Sequence, residues 1–157
     1  MSVVLSRVDE RLLHGQVIAS WSKVLQIRRI LVIDNKLAKD TFMAQVLEMT
    51  APTGVKAKVM TCEQAMKELN GNEDSVNTML LFKNVDAPLE LVKLGYPMKE
   101  LDIGNMGSGP SRKPVTKRVF MSQEEIGMVK ELMNLGVDVY LQMLSSDSRS
   151  SMKEHIS

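Results

Sequence analysis

The sequence predicts an open, mostly parallel α/β sheet of about seven strands, with helices on both faces and an edge strand near the C-terminus. Short apolar runs, typical of strands, alternate with segments whose apolar residues recur at helical spacing. The interior runs are apolar throughout, which is typical of parallel strands buried on both faces. Residues 137–142 alternate between apolar and polar side chains instead, which indicates a half-exposed edge strand.

Each element of this alternation can be located in turn. The predicted strands are residues 3–6, 30–33, 55–60, 78–82, 101–103, 119–121 and 137–143. Capping boxes, formed by Thr61 with Gln64 and by Ser122 with Glu125, predict the starts of two helices. No repeat or linker divides the chain, so we expect one domain over residues 1–157. Residues 145–157 are polar and compatible with a loose C-terminal tail.

The composition excludes several classes of protein. The net charge of +1 over 157 residues gives no indication of a nucleic-acid surface. The longest apolar runs, residues 30–33 and 79–82, are too short to span a membrane, and the N-terminus predicts no signal peptide. A single cysteine, Cys62, cannot form an internal disulfide, which fits a reducing cytoplasmic compartment.

The inventory of reactive residues also limits the chemistry. His14, His155 and Cys62 are too few for a typical zinc site, so we expect no metal. The chain contains neither the phosphate-loop motif of nucleotide-binding proteins nor the dinucleotide fingerprint. We therefore expect no cofactor, and a flavodoxin-like nucleotide-binding or cofactor-binding domain is disfavoured.

The most informative segment follows the first predicted strand, where residues 7–17 read R-V-D-E-R-L-L-H-G-Q-V. In open α/β sheets, ligands bind at the carboxyl ends of the strands. His14 stands where the next helix begins, and a helix N-terminus favours phosphate and disfavours an imidazolium ion. A lone histidine at such a position is commonly only a capping or surface residue. The crowding of charges beside it favours a nucleophile that accepts a phosphoryl group.

The neighbours of His14 can each contribute to phosphoryl transfer. Arg11 can form a fork-like pair with phosphate oxygens, and Arg7 can add to the positive field. Asp9 can hold Arg11 in place or accept a hydrogen bond from the imidazole. Gly15 permits close approach of the phosphate, and Gln16 can donate to a phosphate oxygen or close the first turn of the helix.

A glycine-rich stretch, residues 104–110, follows the fifth predicted strand and reaches the same edge of the sheet. It can be simply a loop, or Asn105 and Ser108 can line the phosphate pocket. Arg112 and Lys113 come directly after it and can be solvated or meet an acidic partner surface. Trp21, on the first helix, is either a core residue or a contact residue.

These residues resemble the start of the enzyme IIB components of the mannose/fructose/sorbose family of bacterial sugar phosphotransferase systems. That family opens with R-I-D-[DE]-R-L-[IVL]-H-G-Q-V and a tryptophan a few residues later, and every polar position of the motif matches residues 7–17 here. The resemblance extends over the whole chain, including G-N-M at residues 104–106. Residues 108–113 depart from the family pattern.

The resemblance implies a protein-Nπ-phosphohistidine–sugar phosphotransferase. His14 then receives a phosphoryl group from a phosphorylated IIA domain and passes it to a sugar held by the membrane components IIC and IID. It implies a cytoplasmic protein that associates peripherally with its transporter, and a homo-oligomer is compatible with the sequence. A regulatory or signalling module that is phosphorylated on the same histidine without sugar transfer is the alternative.

Overall fold

The elements of the fold follow the alternation that the sequence predicts. The computed structural model describes residues 1–13 and 15–156. The strands are β1 (Ser2–Asp9), β2 (Arg29–Ile33), β3 (Lys56–Met60), β4 (Asn77–Phe82), β5 (Glu100–Asn105), β6 (Lys113–Pro114), β7 (Phe120–Met121), β8 (Asp138–Leu141) and β9 (Ser150–Ser151). The helices are α1 (Gly15–Val24), α2 (Asn35–Lys39), α3 (Thr41–Glu48), α4 (Cys62–Gly71), α5 (Asp86–Lys93) and α6 (Gln123–Asn134), and a short 3₁₀ helix (Met152–Glu154) follows β9.

A seven-stranded sheet, in the order β3-β2-β4-β1-β5-β8-β9, forms the centre of the fold. All its pairings are parallel except that of β8 with β9, which is antiparallel. Helices cover both faces: one core contains Trp21 of α1 and Ala44 of α3, and the other contains Ala65 of α4, Leu91 of α5 and Leu132 of α6. The predicted fold class is confirmed.

Local signals in the sequence fix where the helices begin. At the start of α4, the hydroxyl of Thr61 accepts from the backbone N–H of Gln64, and the Gln64 side chain accepts from the backbone N–H of Thr61. Ser122 and Glu125 form the same two hydrogen bonds at the start of α6. These reciprocal bonds satisfy N–H groups that have no partner within the helix. The capping box of α6 also fixes Glu125 close to the candidate site.

The predicted strand at residues 119–121 does not belong to the main sheet. Phe120 and Met121 pair instead with β6 in a separate two-stranded sheet, and Val119 makes one isolated bridge to Met106, just beyond β5. Val119 and Met121 are nevertheless buried against the main core. Their apolar character therefore reflects packing above the end of the sheet and not pairing within it.

The C-terminal edge of the sheet also differs from the prediction in detail. β8 is an interior strand, because β9 pairs with its outer side, and Val139, Tyr140 and Leu141 are all buried. Residues 145–156, for which the polar composition suggested a loose tail, supply β9 and bury Met152 in the core. The two apolar anchors of this segment, Met152 and Ile156, stand at helical spacing, but two residues among polar neighbours are too few to predict an element.

Replacing Met152 by Ala is expected to destabilise the protein by about 2–5 kcal/mol, because it removes a fully buried side chain and leaves a cavity. Urea denaturation at neutral pH measures this loss. The matched control is Met49→Ala, since the Met49 side chain is 84% exposed and its loss should change the free energy of unfolding by less than about 0.5 kcal/mol. Equal stability of the two variants would show that the C-terminal segment does not hold the core.

Candidate functional site

The candidate site lies at the carboxyl edge of the sheet, between the ends of β1 and β5. These strands are neighbours, and Asp9, the last residue of β1, pairs with Asn105, the last residue of β5. β1 leads into α1 and β5 leads towards α6, which cover opposite faces of the sheet. In open α/β proteins, ligands bind at such strand ends, where the chain leaves neighbouring strands towards opposite faces of the sheet.

Asp9 and Arg11 form the central ion pair of this edge. Arg11 donates from Nε to Oδ1 of Asp9 over 3.1 Å and from Nη2 to Oδ2 over 3.1 Å, in a two-bond fork. The backbone N–H of Arg11 also donates to Asp9 Oδ1, over 3.0 Å. Asp9 is 1% exposed, whereas the side chain of Arg11 is 39% exposed. The buried carboxylate therefore holds one edge of a guanidinium that still faces solvent.

Arg11 stays protonated and positively charged in this arrangement. The hydrogen bond to Asp9 raises the pKa of the guanidinium above its usual value, and the attraction of the carboxylate acts in the same direction. Of the two roles predicted for Asp9, holding Arg11 in place matches the contacts among the described residues. Arg11 is thereby held as a cation that faces solvent at the carboxyl edge of the sheet.

His14 lies outside the described residues, and the site is defined by the residues on either side of it. Leu12 and Leu13, just before it, are buried in the core beneath α1 and anchor the loop. α1 begins at Gly15, directly after position 14, so the free N–H groups of the first helical turn lie at this edge. Gly15 has a φ of +85°, a backbone conformation that favours glycine over other residues. Gln16 is exposed in the first turn.

Arg7 occupies a different place from the one predicted. Its side chain is fully buried between the sheet and α1, with its guanidinium carbon 5.5 Å from the centre of the Trp21 ring. Nη1 donates to Asp102 Oδ2 over 2.5 Å and to the carbonyl of Gln142 over 2.7 Å. Nη2 donates to the carbonyl of Met143 over 3.0 Å and to Asp9 Oδ2 over 3.3 Å. Direct phosphate binding by Arg7 does not fit this placement, because both terminal nitrogens are engaged inside the protein.

Asp102 is a site residue that the sequence analysis missed. It is fully buried and accepts from Arg7 and, through Oδ1, from the backbone N–H of Gln142 over 2.9 Å. Burial raises the pKa of Asp102 to about 6, although Arg7 and the N–H of Gln142 oppose that shift. The carboxylate is thus mainly ionised at neutral pH and pairs with Arg7. A charged residue inside the apolar run 101–103 was the available signal, since unpaired carboxylates are rarely buried.

Trp21 connects α1 to the same cluster. Its ring is buried, and its indole N–H donates to the carbonyl of Met143 over 3.1 Å. Of the two roles predicted for Trp21, core residue or contact residue, the core role agrees with this burial. Arg7 and Trp21 together tie the end of β8 to the elements that carry the candidate site.

Arg112 fixes the loop that follows β5. Its Nε and Nη2 donate to the two carboxylate oxygens of Glu125 over 2.9 and 2.7 Å, and Nη1 donates to Glu10 and to the carbonyl of Gly107. Glu10 also accepts from the backbone N–H of Gly107 over 2.9 Å. The acidic groups that Arg112 meets therefore belong to its own chain. Asn105 is half-buried at the end of β5 beside Asp9, whereas Ser108 is exposed one residue beyond the Gly107 contact.

Arg112→Ala is expected to lower the free energy of unfolding by about 1–3 kcal/mol at neutral pH, because it leaves the largely buried Glu125 without its partner. Burial acts to raise the pKa of Glu125, but the hydrogen bonds and charge of Arg112, together with hydrogen bonds from Ser122 and Asn84, outweigh burial and lower the pKa. A lowered folded-state pKa stabilises the protein above the unfolded value, about 4.3, and that contribution is lost as the pH falls through the folded value. The difference between wild type and variant should therefore shrink below about pH 4.

Urea denaturation at pH 7 and at acid pH tests this account. The control is Lys113→Ala, an exposed neighbour that also removes one positive charge, and it should change stability by less than about 0.5 kcal/mol at either pH. A loss for Arg112→Ala that does not depend on pH would contradict the assigned ion pairs.

Other reactive groups among the described residues lie apart from this edge or are inert. Cys62 is buried, and burial raises the pKa of its thiol to about 12, so the thiolate is absent at neutral pH. Within residues 1–13 and 15–156, no cluster of His, Cys, Asp and Glu side chains could hold a metal ion. No helix in the same part of the chain is long and apolar enough to cross a membrane.

The fold and the edge cluster define an open α/β protein with a fixed cation and a helix N-terminus at the carboxyl edge of its sheet. The chain belongs to the family described as "PTS system sorbose subfamily IIB component", whose pattern matches residues 3–157. Membership supports a phosphotransfer role in sugar uptake, as IIB components of these systems are phosphotransferases. The family resemblance seen at residues 7–17 is thereby confirmed.

Individual relatives extend this comparison. The chain is 32% identical over 149 residues to the fructose-specific EIIB component of Bacillus subtilis, covering 94% of this chain and 91% of the relative. It is 30% identical to the mannose-specific EIIAB component of Escherichia coli, covering all of this chain but only 49% of that longer protein. The solved IIBSor domain of the sorbose permease from Klebsiella pneumoniae superimposes with a TM-score of 0.90 at 32% identity, covering 99% of this chain and 96% of that domain.

Proposed function

We propose that His14 accepts a phosphoryl group from a phosphorylated IIA domain and transfers it to a sugar that is held by the membrane components IIC and IID. The observation that carries this proposal is the Asp9–Arg11 fork, which fixes a solvent-facing guanidinium three positions before His14. The N-terminus of α1 follows immediately after His14. A cation and a helix N-terminus that flank one position of the chain favour binding of an anion there.

The two proposed phosphoryl-transfer steps depend mainly on how the reacting groups are positioned. In the first step, a ring nitrogen of His14, Nδ1 by family resemblance, attacks the phosphorus, and the imidazole of the IIA domain leaves. In the second step, a sugar hydroxyl attacks the same phosphorus and releases its proton to solvent, and the His14 imidazole leaves with the electron pair of the broken N–P bond. Both steps spread negative charge over the phosphoryl oxygens, which Arg11 and the N–H groups of the first turn of α1 stabilise.

The surrounding residues have subsidiary roles in this proposal. Asp9 holds Arg11, and Gly15 supplies the backbone conformation that begins α1. Gln16 and Ser108 are exposed at the same edge, and with Asn105 they can donate hydrogen bonds to phosphoryl oxygens. A shallow set of contacts suits a relay, because a deep phosphate site would trap the phosphorylated intermediate.

The partners are proposed from the family. The mannose-specific relative is an EIIAB component of about twice the length of this chain, which supports a IIA domain as the donor. The acceptor complex is membrane-bound, so we place the protein in the cytoplasm at the transporter surface. The candidate site lies at the carboxyl edge of the sheet, where the Arg11 side chain faces solvent and two partners can reach it in turn.

A single experiment tests the relay. The protein is labelled with ³²P from a phosphorylated IIA domain and then mixed with membranes that contain its IIC and IID partners. Loss of label upon addition of sugar, with appearance of sugar phosphate, is the expected result. Label that stays on the protein with every sugar tried would contradict transfer and favour the regulatory alternative.

A further inference from the structure

A glycine in β5 lies directly against the buried guanidinium of Arg7. Gly104 has no side chain, and a Cβ atom built on it would collide with Nη1, Nη2 and Cζ of Arg7. The end of a flexible side chain can normally move aside. Here it cannot move cheaply, because four hydrogen bonds hold the guanidinium and Trp21 covers it.

The backbone around Gly104 is shaped for this contact. Val8 pairs with Ile103 and the next residue, Asp9, pairs with Asn105, so Gly104 is an extra residue in β5. Such β-bulges occur beside active sites, where they redirect side chains, and a glycine in a strand often marks a close approach. The bulge lies between the buried pair Arg7–Asp102 and the end of β1 at Asp9.

A continuous chain of contacts leads from this glycine to the surface. Asp102 and the two carbonyls at the end of β8 fix Arg7, and Arg7 donates to Asp9. The same oxygen of Asp9, Oδ2, also accepts from Arg11. The orientation of the Asp9 carboxylate is thus shared between a buried arginine and an exposed one. Arg7 and Arg11 therefore act on the same carboxylate oxygen.

We infer that Gly104 and Asp102 are positioning residues for phosphoryl transfer, which act through Arg7 and Asp9 on the placement of Arg11. Gly104 provides the space and Asp102 provides the charge that keep Arg7 in one orientation. The inference rests on the proposed function. It gives Arg7 a role in transfer without a direct contact between Arg7 and the phosphoryl group.

The test is a double-mutant cycle on the rate of phosphoryl transfer from a phosphorylated IIA domain. Gly104→Ala alone is expected to slow transfer by about tenfold to a hundredfold, the scale of an ångström-sized displacement of a catalytic group. In an Arg11→Ala background the same substitution should change the rate by about twofold at most, because the group that it displaces is already absent. A merely structural role would give the same fractional loss in both backgrounds.

Two further variants complete the double-mutant test: one replaces Gly104→Ala if that variant does not fold, and the other is a control. Asp102→Asn adds no volume and should show the same dependence on Arg11, so it serves if Gly104→Ala does not fold. Gly127→Ala is the matched control: this glycine lies in α6 with nothing within 4 Å of a built Cβ, and its transfer rate should equal that of the wild type. Circular dichroism at the assay temperature establishes that each variant is folded.

The outcomes separate the two proposals. Failure of the wild-type protein to accept any phosphoryl group would refute the proposed function. Normal transfer by wild type and by Gly104→Ala, or an equal loss with and without Arg11, would overturn the inference alone. Loss of folding in both Gly104→Ala and Asp102→Asn would also overturn it, since the cluster would then be a determinant of folding.

Discussion

Replacing His14 by Ala is expected to abolish phosphorylation by a phosphorylated IIA domain while the fold is retained. Removal of a nucleophile costs a factor on the order of 10⁶ in rate, which here means no detectable label. The fold should survive because the residues that flank position 14 are held independently, by burial of Leu12 and Leu13 and by the start of α1. Incubation with ³²P-labelled donor, followed by gel electrophoresis under alkaline conditions, measures the acid-labile, base-stable phosphohistidine.

The second histidine of the chain supplies the control. His155 lies in the C-terminal segment, where its Nε2 is 2.6 Å from the hydroxyl of Ser150. His155→Ala should accept phosphate at the wild-type rate. Label that persists in His14→Ala, or that disappears in His155→Ala, would show that the nucleophile has been assigned to the wrong histidine.

Arg11→Ala is expected to slow transfer to and from the protein by about 10²- to 10³-fold, the cost of removing one donor that stabilises developing charge. His14 is retained, so the protein should still label fully at long times. The loss should appear mainly in the rate at saturating donor, because the contact with the phosphoryl oxygens strengthens as transfer proceeds. Rapid-quench measurement of label transfer in both directions measures the effect.

Two substitutions calibrate that result. Arg11→Lys keeps the positive charge but cannot form the two-bond fork with Asp9, so its rate should lie between those of Arg11→Ala and the wild type. Arg28→Ala removes a positive charge just before β2, at the amino edge of the sheet, and should leave transfer unchanged. Unaffected rates in both directions for Arg11→Ala would contradict the proposed phosphate contact.

Much of the fold could be predicted because its signals are local. The buried strands are continuous apolar runs, and the capping boxes at Thr61 and Ser122 start α4 and α6 as expected. The position of β8 could not be predicted in this way. Its alternating sequence is typical of an edge, yet the distant pair Ser150–Ser151 covers it, and a two-residue strand of serines leaves no pattern.

Of the contacts expected at the candidate site, the pairing of Asp9 with Arg11 is present, whereas the place of Arg7 could not be predicted. The sequence brings Asp9, Arg11 and His14 to one loop, but the predicted first strand ends at residue 6 and so places Arg7 in that loop as well. The strand in fact continues to Asp9, which turns Arg7 into the sheet beneath α1. The partners that make this burial tolerable, Asp102 and the carbonyls of Gln142 and Met143, are remote in sequence. Sequence spacing carries no information about such long-range pairing.

The central place of β1 in the sheet has a consequence for the order in which the protein is made. Arg7 bonds to Asp102 and to the carbonyl of Gln142 across sequence separations of 95 and 135 residues. β1 is synthesised before the residues that surround it, and the carbonyls of Gln142 and Met143 follow only after β4 and β5 have been made. Closing such long loops precedes any gain from the contacts, which slows folding. The candidate site at this edge is therefore complete only after residue 143 has been synthesised, and a shorter chain lacks the contacts that hold Arg7 in place.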